Sequence, residues 1–372
     1  MTWKVLLWAL TLGVSLGSFP LGESLQERAG STAGPAGDVP RNVAYVSNEQ
    51  GGVSVIDLAR LEVVREVPVG GGNPRGLVVT ADGRYVLTAN KQTADVSVLD
   101  TRTWAVVTRI PIGTNPEFLK LHPGGQWVFT SHEPGAEGGP PKAVGNSEEH
   151  EEKGEAGPAA LPPSRVVAIE VGDWRIGRAF LGGVETEGIA FSPDGQRLVV
   201  TNEGEDAVSM YDVTTGRLLR RTDLSPHGTR PRGIKPWPDG RGYVVTMEAS
   251  STLIVLNADL EVVRTLPVGR GPYGVAFDRS GNRLFVAAAR DQKLQVYDAK
   301  TLELRREVPV GARCWHFTFT PDDAKILLAC GRSDAVYVID AATYEVVKVL
   351  KGFRLPWGIV TYPKAYGSLD LP

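Results

Sequence analysis

Residues Asn73 to Asn90 read NPRGLVVTADGRYVLTAN, and a close relative, RPRGIKPWPDGRGYVVTME, returns at Arg230 to Glu248. Both place apolar residues on either side of an Asp-Gly turn, which is the pattern of two short strands joined by a hairpin. The turn recurs as Ala81-Asp82-Gly83, Pro123-Gly124-Gly125, Pro193-Asp194-Gly195, Pro238-Asp239-Gly240, Arg279-Ser280-Gly281 and Pro321-Asp322-Asp323. Its glycines at 83, 125, 195, 240 and 281 lie 42, 70, 45 and 41 residues apart, so the long interval is one repeat carrying an insertion. A further unit is split. The chain enters it at VAYVSN, Val43 to Asn48, and ends in it at PWGIVTYP, Pro356 to Pro363.

Each unit holds four short runs, in the second unit GLVVT, YVLTAN, DVSVLD and AVVTRIPIG, rich in β-branched residues and bounded by Gly, Asp, Asn and Pro. Such runs are strands. Four antiparallel strands in about 42 residues make a propeller blade, and seven units predict an all-β, seven-bladed β-propeller. The C-terminal strand is expected to complete the N-terminal blade and close the ring, leaving no exposed edge between the ends.

The 372 residues carry 40 Lys and Arg against 43 Asp and Glu, a formal charge of −3, which gives no electrostatic ground for a nucleic-acid partner. Lys4, the apolar run Val5 to Leu16 and the small residues Gly17 and Ser18 form a secretory signal pattern. The run is too short for a confident span, which needs about 20 residues. A retained N-terminal anchor is the alternative. The expected organisation is a signal peptide over 1–18, a flexible tether over 19–40, the propeller over 41–363 with a loop insertion at 134–163 in the third blade, and a C-terminal tail over 364–372. The protein is expected to be exported, periplasmic or extracellular, monomeric and without a membrane span after signal removal.

YVSNEQGGVSVIDLARLEVVREVPVG, PRGLVVTADGRYVLTAN, DAVYVIDAATYEVV and the late LPWG resemble the YVTN family of β-propeller repeats. They are more narrowly similar to exported propellers associated with pyrroloquinoline quinone-dependent alcohol catabolism. The similarity spans Val43 to Pro363. It implies the fold and an accessory place in a periplasmic quinoprotein system, while the insertion departs from the family pattern.

In a propeller the loop before the innermost strand opens on the channel mouth. The ring position there reads Arg75, Glu117, Glu187, Arg232, Tyr273, Trp315 and Trp357, one per blade. Charged groups with aromatic faces suit a polar ligand or a partner's loop; mutual Arg–Glu pairing with space-filling aromatics is the plainer reading. Glycine follows in five blades (Gly76, Gly188, Gly233, Gly274 and Gly358), while Phe118 and His316 are the exceptions. His316 is therefore singled out as a ligand contact.

The insertion, rich in Pro, Gly and Glu, reads as a solvated acidic loop; the sharper reading uses His132, Glu133, Glu148, Glu149, His150, Glu151 and Glu152 as divalent-metal ligands or a lid. Cys314 and Cys330 sit symmetrically about the turn at 322 and face each other across one hairpin, where a disulfide, a free pair or a soft-metal site is open. His122 and His227 are isolated and read as structural. No haem-attachment, metalloprotease, phosphate-loop or nucleophile-elbow motif occurs. No cofactor is required by the sequence. Three functions are weighed: a non-catalytic exported propeller holding a partner protein or small ligand; a propeller enzyme, a lactonase-like hydrolase or a metal or redox-cofactor protein; and a cell-surface adhesive module.

Overall fold

The computed structural model describes residues 37–70, 72–134 and 162–370. The signal peptide, the tether up to residue 36, residues 135–161 of the insertion and the candidate ligands Glu148, Glu149, His150, Glu151 and Glu152 lie outside the described residues. No helix among the described residues is long and apolar enough to cross a membrane.

Seven four-stranded antiparallel sheets form a seven-bladed propeller. Blade 2 runs Pro74–Val79, Tyr85–Asn90, Asp95–Asp100 and Ala105–Pro111 from axis to rim. Its three inner strands are almost wholly buried because neighbouring blades cover both faces, which is why they read as continuous apolar runs rather than alternating ones. The rim strands alone meet solvent; in Glu62–Val67 only Val67 is buried. Asp-Gly turns work because Gly83, Gly125, Gly195, Gly240 and Gly281 all hold a positive φ of 70–75°, and Asp323 adopts the same left-handed conformation in the last turn.

The split blade closes as the repeat demands. Pro356–Tyr362 pairs antiparallel with Val43–Asn48, Tyr45 opposite Val360, and it packs on both sides, against Cys314–Phe319 and against Pro74–Val79. A hydroxyl latch ties blade to blade around the axis. In blade 1, Ser47 Oγ accepts the Gly358 N–H at 3.0 Å and donates to the Arg75 carbonyl of blade 2. In blade 4, Thr201 Oγ1 accepts the Gly188 N–H at 2.7 Å and donates to the Arg232 carbonyl of blade 5 at 3.0 Å. In blade 5, Thr246 Oγ1 does the same with the Gly233 N–H at 2.9 Å and the Tyr273 carbonyl of blade 6 at 2.7 Å. Glycine is required beside two of these latches: a Cβ on Gly188 or Gly233 would sit 2.3 Å from the next blade's carbonyl oxygen.

Residues 364–370, which the repeat leaves outside the propeller, are built into its axis. Phe319 N–H donates to the Tyr366 carbonyl and Ser368 N–H to the Phe317 carbonyl, both at 2.8 Å, so the chain end runs beside the innermost strand of blade 7. Lys235 Nζ reaches the Asp370 carbonyl at 2.8 Å, Lys120 Nζ reaches that of Leu369 at 3.1 Å, and Lys364 pairs with Asp370. Within this C-terminal tail Ala365 and Leu369 are core residues.

Thr246→Val keeps the shape of a fully buried side chain but orphans an N–H and a carbonyl on two blades. Urea unfolding should show a loss of about 1–3 kcal/mol. A loss below about 0.5 kcal/mol, the scale of an ordinary surface substitution, would remove the latch from the account.

Candidate functional site

Local backbone geometry builds the mouth the same way seven times. The residue leading into each innermost strand, Asn73, Asn115, Glu185, Arg230, Gly271, Arg313 or Leu355, holds a left-handed φ of 50–66°. Pairing with strand two then slips by one residue, a β-bulge, in every blade. A bulge re-aims side chains locally, and the re-aimed residue is the ring residue. The left-handed residue's carbonyl accepts the N–H of the residue just past strand two: Glu49, Lys91, Glu133, Glu203, Glu248, Ala289 and Gly331, at 2.8–3.3 Å. That bond sets a second tier of side chains above the ring.

The first tier is a charge network under cover. Arg75 pairs with Glu117 and, at 3.4 Å, with Glu49. Arg232 pairs with Glu187 and Glu203 and, through Nε, with Glu248 at 2.8 Å. The Tyr273 hydroxyl donates to Glu187, and the Arg232 guanidinium lies 5.2 Å from the Tyr273 ring centroid. Glu187 is fully buried. Beneath lies an aromatic plug. His316 lies 4.3 Å from Trp357, 5.3 Å from Tyr273 and 5.4 Å from Phe118, ring centre to ring centre. The two positions that depart from glycine thus meet each other across the axis.

His316 was read from the sequence as a ligand contact. It is 1% exposed, sealed by those rings, with Nδ1 at 3.0 Å from the Ser368 hydroxyl, and burial together with Lys235 pushes its pKa well down. Its Nε2 is buried without a hydrogen-bond partner. Trp315 does not join the plug; its ring lies against Gly331, where a Cβ would come within 1.8 Å. Cys314 and Cys330 are directly paired residues of one hairpin and form a disulfide. His122 takes the Gly124 N–H at 3.0 Å and sits 2.9 Å from the Gly195 carbonyl, and His227 lies 3.4 Å from the Thr265 hydroxyl. His132 has a buried Nδ1 without a hydrogen-bond partner and is not part of the one metal-competent cluster found among the described residues, which is Glu133, Glu187 and Glu203.

The second tier escaped the sequence reading, Glu133 apart. Its signal was present, as the residue following YVSN, YVLTAN, WVFTSH, LVVTN and YVVTM is charged in five successive blades. Burial raises Glu203 to about 8 against the pull of Arg230, with Glu185 and Glu248 adding to the rise. Burial likewise lifts Glu133 well above the usual carboxylate range, helped by Glu117 and Glu203. For Glu248 burial also opposes ionisation, but Arg232, Arg230 and Arg313 outweigh it and hold the carboxyl at about 2.

The chain matches two protein families in part. Residues 187–358 match the family described as Lactonase, 7-bladed beta-propeller, and residues 38–118 the family described as Cytochrome D1 heme domain. Protein NirF of Pseudomonas aeruginosa is 24% identical over 296 residues, covering 68% of this chain and 74% of that protein. The periplasmic gluconolactonase PpgL of Pseudomonas aeruginosa superposes with a TM-score of 0.66 at 17% identity, over 88% of this chain and 99% of its own. Dihydro-heme d1 dehydrogenase NirN, solved in complex with DHE, superposes with a TM-score of 0.62 at 19% identity, over 87% and 76%. These structural likenesses speak to the fold alone.

The raised Glu203 gives a signed pH dependence. Its folded state holds a proton that the unfolded state releases above about pH 4.5, so stability is full below that pH and falls as pH rises to about 8. Thermal melts should show this fall, and Glu203→Gln should flatten it. An unchanged pH profile in Glu203→Gln would contradict the assignment.

Proposed function

We propose that this chain is an exported, non-catalytic propeller that holds a small polycarboxylate at its mouth as an accessory of periplasmic cofactor chemistry. One observation carries the reading. Four arginines converge on Glu248: Arg232 at 2.8 Å, Arg313 at 3.5 Å, and Arg230 and Arg290 at 3.8 Å. Arg290 and Arg313 have no other carboxylate among the described residues, and Arg313 Nε lacks a hydrogen-bond partner. One carboxylate cannot neutralise them, so this side of the mouth attracts an anion. Guanidinium forks favour carboxylates for their paired, planar geometry.

The comparisons support a cofactor setting without naming the ligand. The cytochrome d1 haem domain match over 38–118, together with 37% identity over 78 residues to the dihydro-heme d1 dehydrogenase of Pseudomonas aeruginosa, favours a carboxylated tetrapyrrole. The sequence resemblance points to pyrroloquinoline quinone, which is also a polycarboxylate. Iron ligation by His316 does not fit, because that ring is walled off by Trp357, Tyr273 and Phe118. The reading therefore rests on the carboxylates. Lactone hydrolysis is the competing reading, supported by the family match over 187–358.

Arg75 and Arg232 are poor sites for testing ligand capture, since each is locked into buried carboxylates and its reversal breaks the ring. Rim variants serve instead. Calorimetry with pyrroloquinoline quinone and, separately, with metal-free coproporphyrin should find one of them bound, weakened roughly tenfold or more by Arg290→Gln or Arg313→Gln, as loss of a charge-assisted bond worth about 1.5–3 kcal/mol requires. Binding of neither, or binding indifferent to both variants, would refute the reading. Gluconolactone added to the purified protein should hydrolyse at the buffer rate; turnover above it would favour the enzyme.

A further inference from the structure

The opposite side of the mouth is acidic. Glu133, Glu187 and Glu203 come from blades 3 and 4, and one carboxylate oxygen of each lies within 4.8 Å of the others. The bulge of blade 4 aims Glu187; the bond from the N–H past strand two to the left-handed carbonyl aims Glu133 and Glu203. Arg230 and Arg232 serve Glu203, and Arg232 serves Glu187. Glu133 has no basic partner at ion-pair distance among the described residues, though it is only 5% exposed. Its Oε2 accepts from Asn115 Nδ2 at 2.7 Å, which places that amide at the same point. Oε1 of Glu133 and Oδ1 of Asn115, itself 5% exposed, are buried oxygens without a hydrogen-bond partner. Buried oxygens are rarely left bare, and two such acceptors on residues already hydrogen-bonded to each other call for a positively charged or proton-bearing group.

We propose that Glu133, Glu187, Glu203 and Asn115 form a site for one hard divalent cation, of the calcium or manganese class. The donors are all oxygen, the set such cations select over softer metals. The spacing agrees: oxygens held about 2.3–2.6 Å from a calcium ion lie no more than about 5 Å apart. The site lies apart from the arginines of blades 6 and 7 and does not depend on the polycarboxylate reading.

The test is calorimetry on the full chain, freed of metal by chelating resin, at pH 7 with calcium chloride and with manganese chloride and no organic anion present. One cation should bind per chain, and Glu133→Gln should weaken it roughly tenfold or more, at least the loss seen when an outer-shell partner is removed. Asn115→Asp adds a negative oxygen at a backbone position that Asp tolerates and should tighten it. If Glu133→Gln fails to fold, Asn115→Asp decides: unchanged or weaker affinity overturns the site. No heat with either cation up to millimolar concentration, or an affinity unmoved by Glu133→Gln in a folded variant, overturns it as well.

Discussion

A single hydroxyl, placed on strand two at Ser47, Thr201 and Thr246, joins its own blade's bulge to the next blade's ring residue. At Gly188 and Gly233 the absent Cβ lets the two backbones approach closely enough for the neighbouring carbonyl to be reached. The mouth inherits its rigidity from this contact. A ring residue whose carbonyl is held by one blade and whose strand belongs to the next has little freedom to swing, so charges placed there are preorganised at no later cost. The bulge, the left-handed residue before it and the bond to the residue past strand two are the remaining parts of one repeated device.

That rigidity explains how so many charges are tolerated near the axis. Burying paired ions is seldom a net gain in stability, and breaking one partner of a buried pair is expensive. Here Arg75 and Arg232 each meet two or more carboxylates, and Tyr273 closes the shell around Glu187. The leftover imbalance is spatial. Blades 3 and 4 hold carboxyls in excess of cations, while Arg290 and Arg313 on blades 6 and 7 share Glu248 with two other arginines. Below them Phe118, Tyr273, His316 and Trp357 close the axis, and the chain end fills it from the other side.

The fold was legible because each blade repeats its turns and apolar runs, and the split first unit at Val43 and Pro356 leaves one topology that spares both edges. The ring positions were legible for the same reason. Their partners were not: Phe118 and His316 are close only because the circle brings blades 3 and 7 face to face, and no local pattern encodes that. Residues 364–370 carry no repeat, so nothing in the sequence placed Leu369 in the core. Lys91 and Glu248 occupy equivalent places with opposite charge, so their tier is defined by backbone register rather than by residue type.

Native-state hydrogen exchange on the closing strand bears most directly on all of this. If Pro356–Tyr362 is a full member of the ring, the amides of Ile359 and Val360 exchange with the free energy of global unfolding, together with those of the other innermost strands. Exchange of these amides through a separate, lower-energy opening, while the other six sheets stay protected, would contradict the closed circle and the mouth built upon it.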